Sequence, residues 1–409
     1  MSEGRTGVSD WLLRIGLYGF VIGCFQGIAV TQSALILGLL VWAARSRSGG
    51  GAAVRARQDL RSRGALVTPV DLAFLFWLAS GIISTVFAVD PLASLDKLRK
   101  IFMIGVVYLF AFNLEGERRT ERVVFALLLS ASVASLVGIA DYLSHPWGVD
   151  GRTRGTLGHY MTMGGLLMFA AGLSVSLALF AGARGWRRWF LWGSALSTTG
   201  CLAVTFTRSA WIGFVVALAT MFTIKRRAFL VVLGVVLLVV FTAAPAGFRD
   251  RITSIFDPDH PANVERVHLW KTGLGIFKDH PVVGVGLMDQ SDLYERDWVP
   301  NARKKHGHFH NIFIQVMAAR GAIGLAAFLY LLWAMGAVIR RGIRAGRSVS
   351  SFAEALAVGA FGCYVGFLAS GLFEWNFGDS EVIMVVYFLV GLAIALDRFN
   401  GDARSRPRG

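Results

Sequence analysis

The stretch HNIFIQVMAARGAIGLAAFLYLL, residues 310–332, decides the fold of this chain. Its apolar run continues to about residue 338, and a helix needs only about 20 apolar residues to cross a bilayer. His310 lies at the start of the run, and Gly321 and Gly324 share one face of the expected helix. An imidazole accepts a proton near neutral pH, and paired glycines allow another helix to approach closely. We therefore expect a membrane helix with a reactive group at its end and helix packing at the two glycines.

Composition extends this expectation to the whole chain. Of its 409 residues, 55% are hydrophobic and 16% are charged, and the mean hydropathy is +0.57. The apolar residues form runs that predict an all-α integral membrane protein with about twelve transmembrane helices. The predicted spans are roughly 11–29, 30–44, 69–88, 98–114, 121–141, 160–182, 189–206, 209–224, 228–245, 310–338, 352–373 and 380–397.

Lysine and arginine fall in every second loop, which predicts the orientation of the chain. The basic segments are 45–63, 115–122, 183–188, 225–227, 340–347 and the tail after Arg398. Placing them in the cytoplasm puts both termini there and accounts for much of the net charge of +15. A nucleic-acid partner is therefore not needed to explain the basic composition. The first residues carry no signal-peptide cleavage pattern, so we expect the first apolar run to be retained.

The opposite side of the membrane carries most of the reactive side chains. One long loop, 246–309, separates residues 1–245, with nine predicted spans, from residues 310–409, with three spans and a short tail. All eight histidines lie in outward segments or at their edges, and in a bacterial inner membrane this side is the periplasm. The three cysteines lie in separate apolar runs, where we expect them to be buried as small apolar residues.

The long loop contains a predicted amphipathic helix. In NVERVHLWKTGLGIFKDHP, residues 263–281, apolar side chains recur at helical spacing at Val267, Trp270, Leu274 and Phe277. Such a helix either rests on the membrane surface or caps a cavity.

His310 is the first candidate for chemistry, as a general base. Simple placement in the interfacial zone accounts for a histidine at this position as well. His306, His308 and His310 alternate, so in an extended segment they would share a face as zinc ligands do. No cysteine or nearby carboxylate in the sequence completes that set, and no metal site is predicted. Asp257-Pro-Asp259 resembles a nucleotide-sugar DxD motif, but it faces outward and a turn around Pro258 is favoured.

Outward arginines are the second candidate group. Arg208 interrupts two apolar runs, where an arginine is costly unless it is paired or hydrated, although an arginine at a helix end can also snorkel to the membrane surface. Arg266 lies in the loop helix, and Arg152 and Arg154 lie beside His159 in another outward segment. Guanidinium groups bind phosphate oxygens in a two-pronged manner. These arginines therefore suggest an anion of pyrophosphate size, but their spacing does not show whether they converge.

The pattern His310-Asn311-x9-Gly321-x-x-Gly324 resembles the signature of the O-antigen ligase superfamily. This superfamily includes lipopolysaccharide O-antigen ligases, O-antigen polymerases and protein O-oligosaccharyltransferases. One departure is Arg320, because relatives often carry an acidic residue just before the first glycine.

Two further segments support the resemblance in the expected order. FTRSAWIGF, residues 206–214, resembles the arginine-containing segment of the family. ERVHLWKTGLGIFKDHPVVGVG, residues 265–286, resembles its loop helix followed by Pro-x-x-Gly-x-Gly. The matching motifs cover roughly residues 150–335.

The resemblance implies a GT-C-like glycosyltransferase architecture and a metal-independent, inverting transfer in the periplasm that needs no cofactor. The implied donor is O-antigen on undecaprenyl diphosphate, and the implied acceptor is a sugar hydroxyl of lipid A-core. Carried onto this sequence, His310 is the general base, and Arg208 and Arg266 bind the pyrophosphate. The secondary candidates are Arg152, Arg154, His159, His306, His308 and Asn311.

Within the superfamily we expect the ligase. Protein-glycosylating relatives tend to be longer with an extra outward C-terminal region, whereas this chain ends in a short basic tail. An O-antigen polymerase is the second expectation. A lipid-linked glycan flippase, from a different class of protein, would predict related halves and charges along a central path, whereas the charges here lie on one side.

Overall fold

The computed structural model describes residues 3–47, 68–144, 152–289 and 307–405. Within these ranges the chain forms α-helices, a 3₁₀ helix at Arg99–Ile104 and turns, and no β-strand. The predicted all-α fold is therefore confirmed. The α-helices, numbered in chain order, are α1 Glu3–Gly23, α2 Ile28–Arg47, α3 Asp71–Val86, α4 Pro91–Leu98, α5 Gly105–Asn113, α6 Glu117–Ser144, α7 Tyr160–Phe180, α8 Gly185–Val204, α9 Arg208–Lys225, α10 Ala228–Ala243, α11 Ala246–Thr253, α12 Pro261–Asp279, α13 Ile312–Val349, α14 Ser351–Gly371 and α15 Ser380–Ser405.

All the predicted spans are helical, and the run at 98–114 divides into the 3₁₀ helix and α5. Among the described residues, seven helices are long and apolar enough to cross a membrane: α2, α6, α7, α9, α13, α14 and α15. Helices α3 and α10 are apolar but shorter, with 16 residues each. The fold is that of a multi-pass membrane protein, and the number of spans stays a prediction.

Helix α15 lies at the centre of the bundle. Its residues from Val382 to Leu396 are all buried, and it packs against α5, α7 and α13. Helix α10 is the opposite case, because it buries only Leu233 and exposes large apolar side chains such as Val231 and Leu238. An exposed apolar surface of this kind suits contact with lipid.

Close helix packing on glycine occurs between α9 and α14. A Cβ on Gly366 would lie 2.3 Å from the carbonyl oxygen of Gly213, so the two backbones are in contact. The expected helix packing at Gly321 and Gly324 was wrong. Helix α13 is broken at Gly321, where φ is +61° and ψ is −160°, a conformation that glycine adopts far more readily than other residues.

The loop segment Pro281–Gly286 fills the break in α13. The N–H group of Ala322 donates to the carbonyl oxygen of Pro281 at 2.8 Å, and the N–H groups of Val285 and Gly286 donate to carbonyl oxygens of α13 at 3.0 Å each. These hydrogen bonds satisfy backbone groups that the kink releases from the helix. A Cβ on Gly321 would lie 2.3 Å from the backbone of this segment. The glycine-containing segments 281–286 and 321–324 therefore pack backbone against backbone.

Gly324 makes room for the side chain of Arg320. A Cβ on Gly324 would lie 2.0 Å from the Cβ of Arg320. The guanidinium of Arg320 is buried, and its Nη1 donates to the carbonyl oxygen of Trp77 at 2.8 Å and to the hydroxyl of Ser80 at 3.1 Å. Its central carbon lies 3.5 Å from the centre of the Trp77 ring. The departure from the family pattern is thus a cation stacked against α3.

The predicted loop helix is present as α12, but only part of the predicted stripe contacts the rest of the protein, for example through the half-buried Trp270. Val267 and Leu274 are exposed, whereas Leu269 and Ile276 are buried and pack with Phe309 in a small apolar cluster beside α13. Leu274 faces outward, as expected for a helix that rests on a membrane surface, whereas Val267 and Trp270 border a cavity beside α9.

Other expectations have mixed outcomes. Asp257-Pro-Asp259 forms the expected turn, in which the Asp257 carboxylate accepts from the N–H of Asp259 at 3.0 Å. Cys24, Cys201 and Cys363 are free and buried, as predicted. The basic segment 45–63 lies largely outside the described residues. The division into 1–245, 246–309 and 310–409 and the orientation in the membrane stay predictions.

Candidate active site

His310 has a strained backbone next to a capped helix. Its φ of 49° lies in the left-handed region, which residues other than glycine rarely adopt and which recurs at functional sites. Asn311 caps α13, because its Oδ1 accepts from the N–H groups of Phe313 at 2.9 Å and Ile314 at 3.1 Å. The Nδ2 of Asn311 donates to the carbonyl oxygen of Leu372 at 3.0 Å. Asn311 thereby ties His310 to the turn between α14 and α15.

That turn supplies a carboxylate to His310. The Nδ1 of His310 lies 3.1 Å from both carboxylate oxygens of Glu374, and the two side chains are 12% and 13% exposed. Burial would raise the pKa of Glu374, but the hydrogen bond with His310, electrostatic interactions with His310 and His308, and the N–H of Trp375 lower it to about 2. Glu374 is therefore ionised. Its hydrogen bond places the imidazole proton on Nδ1 and leaves the lone pair on Nε2.

His308 adjoins this pair. Its ring centre lies 4.3 Å from that of His310, and its Nε2 lies 4.0 Å from the Glu374 carboxylate. The ligand atoms of His308, His310 and Glu374 all lie within 4.8 Å of one another, which is close enough to hold a metal ion. The sequence argument that no carboxylate completes a ligand set was thus wrong, because Glu374 reaches the histidines from another turn. The absence of a metal site stays a prediction.

Arg208 and Arg266 line one cavity of about 290 Å³, the arginine cavity. Arg208 is buried, and its Nη1 donates to the carbonyl oxygen and the hydroxyl of Ser254 at 2.7 and 3.2 Å. Among the described residues, neither arginine has a carboxylate within ion-pair distance, and Asp257 is the only acid on the wall. The buried indole N–H of Trp270 lines the same cavity and has no hydrogen-bond partner in the described ranges. These donors suit an anion.

Two further arginines lie close to this cavity. The Nε of Arg251 donates at 3.2 Å to the carbonyl oxygen of Phe206, which itself has a φ of 50°. Burial lowers the pKa of Arg251 to about 10, with a further lowering from the positive charges of Arg152, Arg208 and Arg266. These four side chains form the arginine cluster. Arg208 is buried and the other three are half-buried. Because like charges repel, such a cluster favours a ligand with at least two negative charges.

A central cavity of about 210 Å³ adjoins both the arginine cavity and Glu374. It shares Ser209 with the arginine cavity and includes Glu374 in its wall. The buried Oδ1 of Asn376 also lies on this cavity and accepts no hydrogen bond from the described residues. On the same wall, Asp379 accepts from the hydroxyl of Thr162 at 2.6 Å. Amide and carboxylate oxygens are acceptors for sugar hydroxyls.

The structure brings most of the sequence candidates together. His159 and His308 line the central cavity, and Arg152 belongs to the arginine cluster. Arg154 is exposed and lines none of these cavities. His306 lies outside the described residues.

Sequence reasoning missed Glu374, Arg251 and Asn376 and gave Trp270 only a packing role. A signal for two of them is present in FEWNFGD, residues 373–379, which places two acids and an amide between two apolar runs. Arg251 carries no such signal, because in sequence it is one of several charges in a long loop.

Comparison with known proteins finds a family match for part of the chain. Residues 193–329 match the family model for O-antigen ligase. This chain therefore contains a domain of that family, which confirms the resemblance at the level of the O-antigen ligase and polymerase superfamily. The matched range includes Arg208, Arg251, Arg266 and His310 and ends before Glu374. No curated protein matches the chain.

Members of this superfamily are glycosyltransferase-like enzymes that act on lipid-linked polysaccharides. The chain is thus a multi-pass membrane protein that contains a domain of this superfamily.

Proposed function

We propose that this protein is a lipopolysaccharide O-antigen ligase of a bacterial inner membrane. It transfers O-antigen en bloc from undecaprenyl diphosphate to a sugar hydroxyl of lipid A-core on the periplasmic side. The observation that carries the proposal is the His310–Glu374 pair, which adjoins a cavity system that continues to the arginine cluster. A base and a diphosphate-sized cation site are the two groups that this reaction requires.

His310 acts as the general base. Its Nε2 takes the proton of the acceptor hydroxyl while the hydroxyl oxygen bonds to the anomeric carbon of the donor sugar. The bond from that carbon to the diphosphate oxygen breaks, and the electron pair leaves on the diphosphate. Attack on the face opposite the leaving group inverts the anomeric centre. Glu374 stabilises the imidazolium that forms, as the carboxylate of a Ser-His-Asp triad does.

The arginine cavity receives the diphosphate. Arg208 and Arg266 present guanidinium donors to its oxygens, and the Trp270 N–H supplies a neutral donor. Negative charge grows on the diphosphate as the glycosidic bond breaks, so fixed donors stabilise the transition state more than the ground state. The donor is already activated, and the reaction needs no nucleotide, metal ion or other cofactor.

Transfer by the purified protein tests the proposal. The protein in nanodiscs is incubated with lipid-linked O-antigen and lipid A-core, with chelator and no added metal. The wild type is expected to form the ligated product, and His310→Ala to lower kcat by about 10²–10⁴-fold. His268→Ala, on the exposed side of α12, is the matched control and should keep wild-type activity. Full activity of a correctly folded His310→Ala would contradict the assignment.

Gene deletion separates the ligase from its alternatives. Loss of a ligase leaves lipid-linked polymer and bare lipid A-core, whereas loss of a polymerase leaves lipid A-core capped with a single repeat. Loss of a flippase strands undecaprenyl-linked repeats on the cytoplasmic side.

A further inference from the structure

A third cavity, of about 350 Å³, adjoins the central cavity. It shares His308, Trp375 and Gly378 with the central cavity and none of its lining residues with the arginine cavity. We call it the lysine chamber, because Lys97 and Lys100 lie on its wall. Since His308 lies beside His310, the lysine chamber adjoins the reacting centre on the side of His308.

Arg320 is the buried cation of the lysine chamber. A guanidinium has five N–H donors, and those that Arg320 uses within the described residues belong to Nη1. Its Nη2 and Nε donate to no described residue, and none of the described carboxylates forms an ion pair with it. Arg320 is 8% exposed and lines the chamber. A buried guanidinium held by a carbonyl, a hydroxyl and an aromatic ring keeps its positive charge available to a ligand.

The lysines add charge at the chamber wall. Both are exposed, and the Nζ of Lys100 donates to the carbonyl oxygen of Gly378 at 3.0 Å. Lys100 also lies within electrostatic range of Asp379 and Glu381. Lys97 forms no ion pair with the described part of the chain.

Arg320 and Lys97 therefore carry most of the excess positive charge of the chamber. Asp289 is the only acid among its described lining residues. The aromatic rings of Trp77, Trp375 and Phe377 complete the wall. Charged donors beside aromatic surfaces suit a sugar that carries an anionic group.

We propose that the lysine chamber binds a phosphate group of the acceptor glycolipid. Arg320 and Lys97 bind the phosphate oxygens, and the acceptor hydroxyl reaches past His308 to His310. This inference rests on the proposed function. It gives the two anionic substrates different cation sites, so the acceptor does not compete with the donor for the arginine cluster.

The test compares lipid A-core with and without its phosphates as acceptors, using the full chain in nanodiscs of neutral lipid. We expect Lys97→Ala/Lys100→Ala to raise the KM for the phosphorylated acceptor about tenfold and to leave the donor KM unchanged. With the dephosphorylated acceptor, the wild type and the variant should have the same KM. Arg99→Ala is the matched control, because Arg99 lies between the two lysines, pairs with Asp96 at 3.3 Å and is not on the chamber wall.

Arg320→Lys provides a second variant, which keeps the charge but loses the fork-shaped donor set. It should also raise the KM for the phosphorylated acceptor, by about three- to tenfold. An unchanged acceptor KM in both variants, or an equal rise with the dephosphorylated acceptor, would overturn the phosphate assignment.

Two further measurements distinguish an acceptor phosphate from a membrane headgroup and separate the chamber from the proposed function. If the lysine variant differs from the wild type only in nanodiscs that contain an anionic phospholipid, the chamber binds a membrane headgroup, and the acceptor assignment is wrong. Binding of the phosphorylated acceptor is measured separately by native mass spectrometry. If the wild type binds it in a Lys97-dependent way but transfers no glycan, the chamber assignment stands and the proposed function fails.

Discussion

Replacing Glu374 with glutamine isolates the contribution of its charge to the chemical step. Glutamine has nearly the same shape and keeps an acceptor for the Nδ1 proton of His310, so the main loss is the negative charge. The pKa of Glu374 is about 2 instead of the ordinary 4.5. At about 1.4 kcal/mol for each tenfold change, this difference corresponds to on the order of 3 kcal/mol of net stabilisation of the carboxylate, which is what the histidines and the Trp375 N–H contribute beyond the cost of burial.

This stabilisation matters most when His310 becomes positively charged, which happens as it takes the proton of the acceptor. Its loss should therefore raise the barrier to transfer by up to the same amount and lower kcat by about 10²-fold.

The assay is transfer at saturating donor and acceptor between about pH 5 and pH 9, with purified wild type and Glu374→Gln. Glu115→Gln is the control, because Glu115 pairs with Arg119 at 3.2 Å and lies on none of the cavities. A kcat for Glu374→Gln within about twofold of the wild type across this pH range would refute the role of the carboxylate.

Three other predictions follow from the same geometry. Arg208→Ala should raise the donor KM by about tenfold or more, whereas the exposed Arg154→Ala should change it little, and equal donor kinetics in the two variants would remove the diphosphate assignment. Gly321→Ala should lower the melting temperature in detergent, because its Cβ would lie 2.3 Å from the backbone of the loop segment and its φ is +61°. Gly234→Ala, in α10 with nothing within 4 Å, should melt at or slightly above the wild-type temperature. The melting temperature should also fall as the pH falls from about 4.5 towards 2. The lowered pKa of Glu374 contributes stability above the pKa of this group in the unfolded chain, and that stability is lost when Glu374 is protonated. The Glu374→Gln variant should lose less stability over the same pH range.

The sequence allowed most of the secondary structure to be predicted. Apolar runs of nearly 20 residues are a local property, and in a membrane protein the backbone of such a run must satisfy its hydrogen bonds within its own helix. The loop helix was also predictable, because its periodicity is local. The sequence did not predict which face of this helix contacts the protein. Val267 and Leu274 are as apolar as Leu269 and Ile276, and only the position of α13 distinguishes the two pairs.

Some residues of the candidate site could likewise be predicted from the sequence, and others could not. His310, Arg208 and Arg266 stand out in sequence because each is a polar group at an unusual place or within a family motif. The partner of His310 does not, since Glu374 is separated from it by 64 positions and two helices. Electrostatic partners depend on distance in space, and sequence separation carries no information about that distance.

Gly321 and Gly324 show what the sequence determines and what depends on tertiary structure. The sequence by itself determined a multi-pass helical protein with a histidine at the end of one helix, because these follow from hydropathy and motif. Only the tertiary structure decided that Gly321 breaks this helix around residues 281–286 and that Gly324 leaves space for Arg320. It also decided that the arginines converge. The physical reason is that backbone junctions and charge clusters arise from segments far apart in the chain, which the packing of the whole bundle brings together.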